Sequence, residues 1–113
     1  KNEIKDFCEE TDRESFEDSP DWFKKWMEDK NISLDKNFLV DAPYLAVVCG
    51  EQDKPYWLES TWLAIGFIVL AAEYEGLSTL TYTPSSFEGV KKILEIPEKI
   101  QPVVILPLGF SKD

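Results

Sequence analysis

A chain of 113 residues fits one compact domain, and 43% hydrophobic content supplies a modest core. With 22 acidic against 12 basic residues, the formal net charge of -10 repels phosphate backbones and anionic lipid, which argues against nucleic acid and membrane partners. There is no histidine, the commonest metal ligand and near-neutral acid–base group, and the only cysteines, Cys8 and Cys49, lie far apart in sequence, so they read as packed thiols in a reducing cytoplasm.

Along residues 1–40 the apolar positions follow helical spacing, and the whole stretch reads as a helical, lid-like segment ahead of a domain at 41–113. Ile4, Phe7 and Cys8 share one helical face. Ser19 followed by Pro20 predicts a helix start, because Ser caps free amides and Pro suits the first helical position. Trp22, Phe23, Trp26 and Met27 then form an aromatic stripe on a helix that ends near Asn31. A third helix is expected to open at Ser33 and stop before Asp41-Ala42-Pro43, since proline disfavours helical geometry in the residue before it.

Residues 44–49 make a continuous β-prone run ending at Gly50, the pattern of an interior strand. A helix over residues 58–75 follows, with Gly76 where a left-handed cap is expected. That helix is apolar nearly all round from Trp62 to Ala72, too short for the roughly 20 residues of a membrane span. It needs enclosure that this chain cannot supply, so its missing neighbours come from another subunit, another segment, or both. No secretory signal is visible at the start of the chain.

The next strand, residues 78–83, puts Thr79, Thr81 and Thr83 on one face and Leu80 and Tyr82 on the other, and stops at Pro84. Ser85 or Ser86 starts a short helix with Phe87, Val90, Ile93 and Leu94 on one side, ended by Ile96-Pro97. A final strand covers residues 103–108. The succession is α/β or α+β with a thin three-stranded sheet.

No glycine-rich phosphate loop, nucleophile elbow or metal-spaced cluster is present, so difficult chemistry would fall to a cofactor, with the threonine row ending at Thr83-Pro84 as the surface for it. The abundant carboxylates read as solvated surface.

Five marks stand in order over about 70 residues: Asp41-Ala42-Pro43 before an apolar strand, Leu70-Ala71-Ala72, Gly76-Leu77, Leu94-Glu95-Ile96-Pro97, and Leu106-Pro107-Leu108-Gly109-Phe110. In this succession the chain resembles the C-terminal part of a nitroreductase-superfamily subunit. Thr81-Tyr82-Thr83-Pro84 and the Leu-Pro-x-Gly-aromatic close are similar to the iodotyrosine deiodinase branch. The resemblance implies an α+β, three-layer α-β-α sandwich, here a partial chain without the family's N-terminal arginine motif. It also implies FMN, a homodimer with flavin clefts shared between subunits, and a reduced nicotinamide such as NADPH, or another electron donor.

Under the same resemblance Thr83 sets its hydroxyl at the redox-active flavin nitrogen, and Thr81, Tyr82 and Pro84 complete the cofactor turn. Lys36, seven residues before Pro43, grips the carboxylate of a halotyrosine. The upstream acid falls among Glu9, Glu10 and Glu14, with Glu10 as the working assignment, and Phe16 stands in for the branch's lid tyrosine. The implied activity is reduction of a small aromatic substrate, in its sharpest form reductive dehalogenation of a halotyrosine. The alternatives are a general NAD(P)H-dependent nitro or quinone reductase and a flavin-free interaction module of the same fold.

Overall fold

Two antiparallel strands at the centre carry helices on both faces. The computed structural model describes residues 1–30 and 35–111. Its elements are α1 (Asn2–Glu17), α2 (Asp21–Asp29), α3 (Phe38–Asp41), β1 (Tyr44–Glu51), α4 (Trp57–Tyr74), α5 (Glu88–Ile93) and β2 (Ile100–Leu108). Strands β1 and β2 run from Tyr44↔Leu108 to Glu51↔Ile100, with a register shift between Val48 and Cys49.

The pleat sends alternate side chains to opposite faces, and each face finds its own helices. On one face Ile105, Leu45 and Val47 pack with Ile4 and Cys8 of α1, Leu39 of α3 and Val90 of α5. On the other, Val104, Leu106, Ala46 and Val48 pack with Trp57, Ile65 and Val69 of α4. The result is the expected helix, sheet, helix layering. The α1–α5 seam is tight: a Cβ on Gly89 would stand 2.3 Å from the Phe7 ring, so only glycine lets α5 approach that closely.

Three local expectations change. Ser19 does not cap α2: Pro20 occupies the N-cap, and the Ser19 hydroxyl donates backward to the Phe16 carbonyl, closing the turn after α1. The predicted start of the third helix at Ser33 lies outside the described residues, and α3 runs one residue past its predicted stop, through Asp41. Residues 78–83 are held by two isolated bridges, Ser78↔Gly109 and Tyr82↔Ile105, not by a continuous strand.

The third difference has a covalent cause. Ser78 and Gly109 exchange both backbone hydrogen bonds, as do Tyr82 and Ile105, so the same register puts Leu80 opposite Pro107. Proline has no N–H to donate, and the ladder is interrupted there. Pro107 is tolerated on the β1 side because its missing donor points toward Leu80.

Helix α4 ends as predicted. Gly76 has φ +80°, the Leu77 N–H reaches the Ala72 carbonyl at 2.8 Å and the Gly76 N–H reaches Glu73 at 3.1 Å, the paired bonds of a Schellman motif. Only Thr61, Ile65 and Ala72 of this helix are buried. Leu63, Phe67 and Leu70 are each about two-thirds exposed, at 66%, 65% and 66%. No helix of the described residues is long and apolar enough to cross a membrane.

Candidate functional site

The turn after the bridged segment is fixed from behind. Tyr82 donates its N–H to Ile105 at 3.1 Å and accepts from the Ile105 N–H at 2.8 Å, which anchors the turn to β2. The alternation predicted from sequence holds here: Tyr82 and Pro84 are buried, while Thr81 and Thr83 are exposed. The Tyr82 ring meets Phe38 edge-on, with centroids 5.4 Å apart, and the Lys36 ammonium sits 5.5 Å above its centroid.

Beyond the ring, the Tyr82 hydroxyl donates to Asp12 Oδ2 at 2.5 Å. The other carboxylate oxygen of Asp12 accepts from the Ser85 N–H at 2.8 Å and the Ser85 hydroxyl at 2.9 Å. Asp12 therefore ties α1 to both sides of Thr83. Burial, reinforced by the Asp12 carboxylate, holds the Tyr82 phenol well above its ordinary range, so it stays protonated and remains a donor. One helical turn before Asp12, burial pushes the Cys8 thiol up to about 11.

In front of this network is a cleft of about 260 Å³. Phe16 of α1 with Phe23 and Met27 of α2 form its apolar wall, and Asp12, Lys36 and Thr83 bring one anion, one cation and one exposed hydroxyl. Phe23 and Met27 belong to the stripe predicted on α2. Trp22 and Trp26, the other stripe residues, are 70% and 47% exposed.

Thr83, Tyr82, Lys36 and Phe16 thus meet in one cleft although they come from three separate stretches of sequence. Thr81 and Pro84 are outside its lining. Of the three candidate acids, Glu10 and Glu14 are exposed, and Glu9 is paired with Lys5, which lowers its carboxyl below the usual range. None of them lines the cleft; the acid there is Asp12. Sequence contained a signal for it, since Ile4, Cys8, Asp12 and Phe16 recur every four residues along one side of α1. The apolar face read from sequence covers Ile4, Phe7 and Cys8, and Asp12 continues that stripe as a polar residue.

A larger cleft of about 370 Å³ opens near Pro43, Leu80 and Phe110, where Asp41 is the charged lining residue and the nearby Lys1 ammonium is engaged by the Ala42 and Pro43 carbonyls. Among the described residues no group of His, Cys, Asp or Glu is placed to hold a metal. The smaller cleft suits the edge of a planar aromatic ring, with apolar walls and a hydroxyl at its rim. For a phosphate it offers only Lys36.

Comparisons with known proteins identify the family. The nitroreductase family model matches residues 10–110. An iodotyrosine deiodinase of Thermotoga neapolitana is 38% identical over all 113 residues, which cover 61% of its length. One from Haliscomenobacter hydrossis is 36% identical over 102 residues, 79% of this chain and 46% of the relative. A crystal structure of oxidized iodotyrosine deiodinase bound to FMN and 3-iodo-L-tyrosine superposes with a TM-score of 0.92 at 38% identity, over 99% of this chain and 61% of that one. A nitroreductase family protein from Clostridium novyi aligns more loosely, with a TM-score of 0.63 at 28% identity over 67% of this chain and 47% of that one. The chain spans about three fifths of the length of the first of these relatives, 61%.

Proposed function

The chain belongs to the nitroreductase family, and from that premise we propose that it serves an FMN-dependent oxidoreductase reducing a small aromatic substrate, in its sharpest form a dehalogenase of halotyrosine. The observation that carries this reading is the cleft in which Thr83, Lys36 and Asp12 converge in front of the apolar wall of Phe16, Phe23 and Met27.

FMN, when bound, supplies the electron chemistry. This chain's part is to orient and to exclude water. Thr83 offers an exposed hydroxyl at the cleft rim, able to donate a hydrogen bond to a ring nitrogen, with Thr81 beside it on the same exposed face. Lys36 faces a substrate carboxylate and Asp12 its ammonium, an arrangement that selects a zwitterionic amino acid over a neutral phenol. Phe16, Phe23 and Met27 cover the aromatic part and remove water, which strengthens both charge contacts. The phosphate of the cofactor is held by residues other than those lining this cleft.

The electrons come from a reduced nicotinamide such as NADPH or another donor, in the cytoplasm, and two copies of the chain share the flavin clefts. The uncovered face of α4 supports the dimer.

A second reading, a general nitro or quinone reductase, is favoured by Phe16, whose ring brings no hydroxyl to a substrate. Spectroscopy separates the two. FMN added to the purified protein is expected to bind with a shifted visible band, and 3-iodo-L-tyrosine is expected to perturb that band and release iodide under reducing conditions. Bound flavin indifferent to the halotyrosine favours the general reductase. A protein that leaves the spectrum of added FMN unchanged overturns both readings and leaves a flavin-free module.

A further inference from the structure

One residue touches both charged groups of the cleft. The Tyr82 ring lies under the Lys36 ammonium, and its hydroxyl, at the far end of the same ring, donates to Asp12. Neither Lys36 nor Asp12 is placed by its own element alone. Asp12 projects from α1, and Lys36 lies in irregular chain just ahead of α3. Tyr82 is the better-fixed member: it is buried, braced edge-on by Phe38, and locked by two backbone hydrogen bonds to Ile105 in the core of the sheet.

We propose that Tyr82 is a positioning residue that spaces Lys36 and Asp12 to match the carboxylate and ammonium of one zwitterionic amino acid, and so sets selectivity for amino acids over neutral phenols. The inference rests on the proposed function, because it concerns that site's substrate class.

A rigid phenol suits this task. The ring face attracts a cation without neutralising it, so Lys36 keeps donors for a carboxylate. The hydroxyl occupies one acceptor position on Asp12 Oδ2, and Ser85 engages Oδ1 twice, which fixes the orientation of the carboxylate while leaving acceptor capacity for an ammonium. With both charges already oriented, a zwitterion binds without the entropy cost of ordering two long side chains. A neutral phenol uses neither charge and is indifferent to their spacing.

The test uses the FMN-loaded full chain with 3-iodo-L-tyrosine and 2-iodophenol as paired probes, each titrated by the flavin absorbance. Tyr82→Phe keeps the ring and the core packing and removes the hydroxyl with its bonds to Asp12 and to the Cys8 thiol, of which only the Asp12 bond reaches the cleft. It is expected to weaken halotyrosine binding about tenfold, in the range of one hydrogen bond to a charged group. Iodophenol binding should stay as in the parent, while the thermal midpoint should fall by no more than the loss of a buried hydrogen bond brings. Under turnover the loss should appear in KM with kcat kept. Tyr82→Leu, which also removes the ring from Lys36, should lose further affinity for the zwitterion alone.

Unchanged discrimination in Tyr82→Phe overturns the inference, as does an equal loss for both probes. If the parent protein itself does not prefer the amino acid to the phenol, the failure belongs to the proposed substrate class and not to Tyr82. Should Tyr82→Leu fold poorly, Tyr82→Phe decides alone.

Discussion

In the proposed site Thr83 serves the flavin and Lys36 the substrate, so their substitutions should part accordingly. Thr83 is exposed, so Thr83→Ala should change the thermal midpoint by no more than an ordinary surface substitution, within about 0.5 kcal/mol. It should nonetheless change the one-electron behaviour of bound FMN, read as a shifted reduction midpoint in a spectroelectrochemical titration. An identical midpoint counts against contact with the ring. Lys36→Ala should weaken halotyrosine binding and spare a neutral phenol; matched losses exclude the clamp. Cys8 gives a prediction about pH. Burial raises its folded pKa from 9.0 to about 11, so the native state holds this proton more tightly than the unfolded chain does. The associated stability is complete below about pH 9 and is lost as pH rises toward 11, and the raised Tyr82 phenol acts in the same sense at still higher pH. Thermal melts across that window should fall less steeply for Cys8→Ala than for the parent, and parallel falls would remove the thiol as a cause.

Two helices end with the same hydrogen-bond pattern but different residues at the left-handed position. After α4 it is Gly76 at φ +80°; after α5 it is Glu95 at φ +54°, with the Ile96 N–H on the Lys91 carbonyl at 2.9 Å. A side chain at such a φ costs energy that glycine avoids, so Glu95→Gly should raise stability by about 0.5–1 kcal/mol and Gly76→Ala should lower it by about 1 kcal/mol, both measurable by urea denaturation. If both lower stability, backbone strain is not the controlling factor at Glu95. These ends also show what sequence could disclose. Gly76 announces its cap because glycine is the usual residue there, whereas Glu95 is invisible to that rule. Strand β1, the body of β2 and the length of α4 were legible because local apolar runs determine them, whereas β2 begins at Ile100, ahead of the predicted residue 103. Residues 78–83 looked like a strand from their own alternation; what breaks the ladder is Pro107, 27 positions from Leu80, whose effect depends on the pairing register. The α1 stripe marks the position of Asp12 but not its role, since its partners Tyr82 and Ser85 lie 70 and 73 residues away.

At the scale of the molecule, α4 carries a long exposed apolar stripe among the described residues. Thr61, Ile65 and Ala72 face the sheet, and Leu63, Phe67, Leu70 and Tyr74 recur at three- and four-residue intervals on the opposite side, with Tyr74 88% exposed. An apolar stripe of this length on a protein of net charge -10 is costly in water and is the kind of face that a two-fold interface buries symmetrically. Each copy would cover the other's stripe, and α4 would become the enclosed helix that its all-round apolar sequence calls for. Such a dimer would also bear on the site, because α4 packs on β1 and β2, and Ile105 of β2 anchors Tyr82. Phe67 makes no contribution to either core cluster, so Phe67→Glu should leave the monomer folded while placing two like charges in a desolvated interface. Sedimentation velocity should then show a dimer for the parent and a monomer for Phe67→Glu, with far-UV circular dichroism unchanged. A parent that sediments as a monomer at micromolar concentration would mean that this stripe is covered by something other than a second copy.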